Sequence, residues 1–516
     1  MRPLFLLLLL IPVGSLFAQQ GGTKDQRPGS QVNVTGARVE ILNADRWEFD
    51  DKLAKGAQRL IGHVRFKHVD ALMNCDSAYL FEDQTVRAFG HIGIQQGDTL
   101  HITGDRLDYS GKDRVAVITG NVHLTDPGME MTTDALSYDL KRHTATYSTG
   151  ARIVSARDGN TLTSRHGSYL ANAHTFIFSD SVLIQHPDRT ITADTLHYST
   201  LTGIAAFFGP THITQGETHM YTERGSYDTR TERGRFTQAG RIENKGQELR
   251  GDSLHYDRRT GEGLAWGHVL ATDTANDLVV RGGKGRYLQQ EDRSMVTERA
   301  ELIMLMGKDS LFLHGDTLFA SKDSSGGKRI QAWRNVRLFK PDLQGVCDTM
   351  TYSERDSVIT LIGSPFLWSG KDQINGKHMR ITLREGHAHR LFVDEEAFMA
   401  SQADSIRFDQ VTGTHMTGFF EADEIRRIIA EGNTRTVYFA KDKKDGVEQV
   451  VGMNRADCSR IVVELDSGNV STVSFQTQPD ATLYPLEKAP ADEVRMKGFT
   501  WNAADRPKDR EAIFTE

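Results

Sequence analysis

Beyond about residue 60, apolar and polar side chains alternate one for one in runs of roughly ten to twelve residues, the signature of strands with one buried face. Each run changes phase near its middle. Val115 and Val117 stand in one phase and Val122 and Leu124 in the other, with the change near Gly120. The neighbouring runs behave alike: an apolar residue lies five positions before the central one, as Ile102 does before Leu107, Met131 before Leu136, Ile191 before Leu196 and Leu249 before Leu254. An odd step in a regular strand puts two side chains on opposite faces, so both can face one core only if the strand is kinked between them. Gly104-Asp105, Thr133-Asp134, Ala193-Asp194 and Gly251-Asp252 occupy that place. A small residue followed by a turn-forming Asp suits a bend. Short turns such as Ser110-Gly111-Lys112-Asp113 and Thr125-Asp126-Pro127-Gly128 join the runs. The pattern predicts an all-β protein: a long open β-jellyroll, a V-shaped folded antiparallel sheet with an apolar trough. The one short stretch with any helical character, Asp423 to Ala430, is read equally well as edge strand or turn.

The kinked runs recur. Asp-x-Leu-x-Tyr stands at Asp105 to Tyr109, Asp134 to Tyr138, Asp194 to Tyr198 and Asp252 to Tyr256. Looser copies extend the last position into a series of twelve: Leu80, Tyr109, Tyr138, Tyr169, Tyr198, Tyr227, Tyr256, Tyr287, Ala320, Tyr352, Ile381 and Phe408. Between them lies a second phrase, Gly120-Asn121-Val122, echoed at Gly90-His91-Ile92 and Gly267-His268-Val269. About twelve units of two strands make one array, expected over 31–475 and on the order of 115 Å long at ~4.8 Å per strand. Residues 476–516, with Pro485, Pro490, Trp501 and Pro507, fall outside the repeat and are expected to form a cap or docking tail.

The N-terminus changes the picture by fixing a compartment. Arg2, the apolar run from Leu4 to Val13 and the small residues Gly14, Ser15 and Ala18 form a signal-peptide pattern over 1–18, followed by a flexible segment over 19–30. No cysteine follows the expected cut, so no lipoprotein anchor is indicated, and the mature chain is expected to be soluble. The 62 basic and 69 acidic residues give a net charge of -7 without a Lys/Arg block. That balance argues against nucleic acid as a partner. The cysteines Cys75, Cys347 and Cys458 are too few for a disulfide framework, and the first two precede the Asp of the repeat.

Little else suggests chemistry. One Asp per unit is too few for a calcium ladder, which needs several carboxylates per turn, so a structural bend is the favoured reading. His387 and His389 share a strand face but have no third ligand, and Gly167-Ser168 lacks the setting of a hydrolase elbow. No catalytic group, metal site or cofactor is expected. The repeated apolar positions are the candidates for a lipid groove: Ile102, Leu107, Tyr109, Met131, Leu136, Tyr138, Ile191, Leu196, Tyr198, Leu249, Leu254 and Tyr256. They can equally be core filling. Leu196 is expected inside and His197 outside.

The Asp-x-Leu-x-Tyr phrases at Asp105, Asp134, Asp194 and Asp252, with Ala116-x-x-x-Gly120-Asn121-Val122, make the chain resemble the OstA-like family over most of its length. Members include the periplasmic bridge protein of lipopolysaccharide transport and the periplasmic part of the outer-membrane translocon. The resemblance implies a twisted β-jellyroll, open along one side, that carries lipid A acyl chains inside. It implies a non-enzymatic, periplasmic or outer-membrane-associated long relative of the bridge protein. Its partners would be lipopolysaccharide and other jellyrolls, joined by end-to-end strand addition through a first strand near Val32 to Leu42 or through Ile461 to Phe475. Two other readings stay open: a secreted parallel β-solenoid that binds or cleaves polysaccharide, and a structural spacer without lipid.

Overall fold

The computed structural model describes residues 38–515, except 50–55, 157–158, 275–277, 292, 307–308, 324, 422–423, 445–446 and 467–468. The expected signal peptide and the segment 19–30 lie outside the described residues, as does most of the expected first strand before Leu42.

Among the described residues, thirty-eight strand segments form one sheet. Successive long strands, such as Leu100–Ser110, Val115–Asp126 and Met129–Asp139, pair antiparallel with the strand before and the strand after. This pairing is incompatible with a parallel β-helix. The stretch from Glu424 is strand, not helix, in Glu424–Lys444.

Every long strand is folded across its middle, so the sheet has two walls. The kink lies in both phrases of the repeat, and the backbone reverses hand in one of them; there the expected change of phase is not found, since Ala116 and Ile118 are buried together with Val122 and Leu124 while Val117 is 41% exposed. Gly90 and His91 have φ of 72° and 42°, Gly120 and Asn121 78° and 44°, Gly267 and His268 68° and 45°. The ladder skips at each pair, between Phe89 and Ile92, Thr119 and Val122, and Trp266 and Val269. The Asp strands bend without positive φ at the Asp, which fills the corner instead. The Asp76 carboxylate accepts a hydrogen bond from His91 Nδ1 at 2.7 Å, and Asp105 accepts one from Asn121 Nδ2 at 2.8 Å. Asp252 and His268 (2.8 Å) and Asp316 and Asn335 (3.0 Å) repeat the pair. A Cβ on Gly90 would lie 2.3 Å from Asp76 Oδ2, so glycine is required there both by hand and by space.

Side chains inside the fold form rungs across the sheet. One runs through Tyr109, Ala116, Tyr138, Ala145, Tyr169, Phe176, Tyr198, Ala205 and Tyr227, each paired with the next. It continues through Tyr256, Tyr287, Ala320, Tyr352 and Ile381. Phe408 does not belong to it. That residue pairs with Gln402 on the other wall and packs its ring on Phe499 and Trp501. The repeat spacing alone could not detect the longer strands there, of which His387–Gln402 is one.

The core divides into one cluster from Val39 to Val269 and another from Leu278 to Leu465. A third, containing Phe398, Ala400, Phe439 and Met496, covers the outer face of one wall in the second half. The covering comes from the tail, which runs back along that wall as a strap. Its main-chain carbonyl of Thr500 accepts from Gln373 Nε2 at 2.6 Å, Arg506 Nε donates to Gln344 Oε1 at 2.8 Å, and Arg510 reaches Glu301.

Candidate functional site

The interior gathers the sequence-selected residues. Ile102, Leu107, Tyr109, Met131, Leu136, Tyr138, Ile191, Leu196, Tyr198 and Leu254 are all buried in the first cluster, and Leu249 and Tyr256 are partly buried against it. Ile102, Met131, Ile191 and Leu249 line one wall, the Leu and Tyr residues the other. Leu196 is fully buried while His197 packs its ring against Phe208 on the outer face, as the alternation predicted.

The sheet stays open at the level of the backbone, but side chains meet across its margins in the first half. At the free margins of the two walls, tyrosines of one wall meet polar residues of the other. Tyr109 is hydrogen-bonded to His68 Nδ1, the Tyr138 hydroxyl donates to Gln96 Oε1, and the Tyr169 hydroxyl donates to Asp126 Oδ2. Asn160 Nδ2 donates to the Tyr198 hydroxyl at 3.4 Å, and the Arg189 guanidinium lies 5.7 Å from the Tyr227 ring centre. Burial pushes the Tyr109 and Tyr227 hydroxyls up to about 12 and those of Tyr138 and Tyr169 higher still, so all four stay protonated. His68, Gln96, Asp126, Asn160 and Arg189 are themselves buried. Buried polar groups are usually kept where they find partners, so the four hydrogen-bonded pairs are a row of latches joining the walls, while at Tyr227 the guanidinium covers the ring and the hydroxyl is left unpartnered.

Sequence reasoning missed the polar half of each latch. Its signal is nevertheless present: His68, Gln96 and Asp126 stand two residues after Phe66, Ile94 and Leu124, in the phase of the core.

The remaining candidates are accounted for structurally. Cys75, Cys347 and Cys458 are free thiols. Cys75 pairs with Val64 and Cys347 with Val336, equivalent places beside a corner, and burial pushes both thiols up to about 12. Ser168 sits within a ladder between Thr146 and Ile177. Among the described residues, no group of three or more His, Cys, Asp or Glu is placed to hold a metal ion. An interior of this kind can bury apolar matter without directional contacts.

Two family matches fall on the array. Residues 36–194 match the OstA-like protein family, and residues 303–387 match the family described as LptA/(LptD N-terminal domain) LPS transport protein. The chain is thus similar, in both halves of its array, to OstA-like proteins of lipopolysaccharide transport. No curated protein matches it.

Proposed function

We propose that this protein is a non-enzymatic bridge of lipopolysaccharide transport that acts in the periplasm or at the outer membrane, holding lipid acyl chains inside its folded sheet. The observation that carries this reading is the inward-facing, mostly apolar rung that can be followed pair by pair from Leu80 to Ile381, in a chain of which residues 36–194 match the OstA-like family and residues 303–387 a lipopolysaccharide-transport family. Each methylene removed from water contributes about 0.8 kcal/mol, so several acyl chains are retained without any specific contact. Binding by burial also suits cargo that must slide.

The ends support a place in a larger assembly. Glu40–Asn43 and Arg46–Phe49 pair on one side only, among the described residues, as do Asn469–Gln476 and Asp480–Pro485 at the far end. Trp47 and Phe49, 51% and 76% exposed, continue the interior rows to the open edge. Unpaired edges with apolar inner faces accept another jellyroll by strand addition.

Native mass spectrometry of the full chain, purified from cells and then titrated with lipopolysaccharide, tests the reading. Adducts with the mass of an acylated glycolipid are expected. A chain that stays lipid-free at saturating lipopolysaccharide would leave only the spacer.

A further inference from the structure

We infer that the outer face of the wall that carries the tyrosines, from Phe208 to Trp333, is a docking surface for the negatively charged saccharide of the glycolipid whose acyl chains lie inside. This rests on the lipid-binding reading above and adds where the head of the cargo is held.

One row of side chains crosses that face, all of it among the described residues. Phe208, Arg224 and Gln238 pair in succession, and from Ser253 the row runs on through Trp266, Lys284, Thr297, Thr317 and Trp333. A large aromatic side chain recurs at every fourth strand, about 19 Å apart at ~4.8 Å per strand. A cation stands beside each. The Arg224 guanidinium lies 5.8 Å from the Phe208 ring centre, Lys284 is the ladder partner of Trp266, and the Arg334 guanidinium lies 4.5 Å from the Trp333 ring centre. Gln238 with Ser253, and Thr297 with Thr317, fill the places between with amide and hydroxyl groups.

The rings at both ends of the row are accessible, Phe208 being 37% and Trp333 41% exposed. Elsewhere on this face the arginines are matched by acids of the face itself: Arg87 and Arg106 by Asp108 at 3.5 and 3.3 Å, and Arg380 by Asp394 at 3.1 Å. The row holds no Asp or Glu, and acids at the corner beside it have partners. Glu223 accepts from Gln238 Nε2 at 2.9 Å, and Asp252 is bonded to His268 Nδ1 at 2.8 Å. The row is thus positive in a chain whose net charge is -7. Exposed rings take the apolar faces of sugars, and a guanidinium stacked on a ring is already oriented for a two-pronged contact with phosphate or carboxylate. The outer face of the other wall is covered by the strap in the second half.

A flat anionic membrane fits the same charges less well. Neighbouring strands of a sheet are rotated by about 20°, so rings four strands apart face directions roughly 80° apart. One plane therefore cannot touch Phe208, Trp266 and Trp333 together. A flexible saccharide chain follows the twist and meets all three.

Calorimetric titration of the full chain with two probes tests the assignment: the deacylated, phosphate-bearing saccharide of lipopolysaccharide, and lipid A without that saccharide. Saturable binding of the saccharide that weakens with added salt is expected. Arg224→Glu combined with Lys284→Glu and Arg334→Glu should lower its affinity by roughly tenfold or more, with lipid A binding and circular dichroism unchanged. Arg65→Glu with Lys67→Glu and Arg152→Glu makes the same change of charge at exposed positions of the other wall and should leave saccharide binding in place. Equal losses in the two triple variants reduce the effect to net charge and overturn the row. Lipid A bound without any binding of the saccharide overturns the inference and keeps the transport reading. Binding to phosphatidylglycerol vesicles that the first variant abolishes, with no saccharide bound, gives the face to a membrane and overturns the inference as well. Absence of binding by both probes removes the inference and the reading beneath it.

Discussion

Arg510 grips the carboxylate of Glu301 from both sides, Nε to Oε1 and Nη2 to Oε2 each at 2.6 Å, although 209 positions separate the two residues. Glu301 is only 3% exposed, and Arg281, at 4.0 Å, is its one other cation within ion-pair reach among the described residues. Removing one partner of a buried pair leaves the other charge uncompensated. Arg510→Ala should therefore lower the stability of the second half by about 2 kcal/mol, the partial exposure of the arginine keeping the cost below that of a fully buried pair. Denaturation followed by a fluorophore on the tail checks this, and Glu301→Gln combined with Arg510→Ala should recover part of the loss.

The latches predict a graded response to loss of a hydroxyl. Tyr169→Phe keeps the ring but deprives the buried Asp126 of its donor, leaving His174 at 3.6 Å as the group beside it. Tyr138→Phe deprives a neutral amide oxygen instead. The first should cost about 2 kcal/mol and the second about 1 kcal/mol, since bonds to charged groups are the stronger. Urea titration of both variants, with exchange rates measured at the margin strands, tests the order.

Corner glycines should differ from turn glycines. Gly120 has φ of 78° and Asp105 Oδ2 2.6 Å from where a Cβ would stand, whereas Gly97, φ 64°, has nothing within 4 Å. Gly97→Ala carries only the conformational penalty, about 1 kcal/mol. Gly120→Ala must also displace the aspartate, and is expected to cost about 2–3 kcal/mol. Thermal unfolding of the two variants decides; equal losses would mean that the aspartate yields freely.

Asp372 gives the second half a pH dependence. Burial pushes its carboxyl up to about 6, with Lys371 opposing and Asp409 adding to the effect. A carboxyl held above its ordinary value binds its proton more tightly in the folded state. Stability should thus be highest below about pH 4, fall as pH rises to about 6 and then level off. Asp372→Asn should raise stability at pH 7.5 by about 2 kcal/mol and change nothing at pH 4. A variant equally stable with the parent at both pH values would sink this account.

The two-wall sheet was legible because its cause is local. A phase change is visible in Leu100–Ser110, where Ile102 and Leu107, five positions apart, are both buried with the Gly-Asp pair between them. In Val115–Asp126 the pattern misled: Val115 and Val117 were expected on the core side, yet Ala116 and Ile118 are the buried residues, in the same phase as Val122 and Leu124, because the bend there is made by two positive-φ residues, Gly120 and Asn121. What was not legible depends on pairs made across the walls. Nothing near Tyr169 in the sequence points to Asp126, and nothing near Glu301 points to Arg510, so these side-chain pairs were not foreseen. The role of Asp105 was only half visible: it serves the bend, but in the neighbouring strand rather than in its own.

The strap also has a temporal meaning. Each strand of this array needs only the strand made just before it, so the sheet can add layers in the order of synthesis, with little loop closure at any step. The contact from Arg510 to Glu301 breaks that rule and must wait for 209 further residues. Until then the buried acid of Glu301 has Arg281, at 4.0 Å, but not its bidentate partner, and the outer faces of Phe398 and Phe408 lack their cover. The second half therefore matures in one late event, while the first half is complete layer by layer: a seam closed last in a fabric otherwise woven row by row.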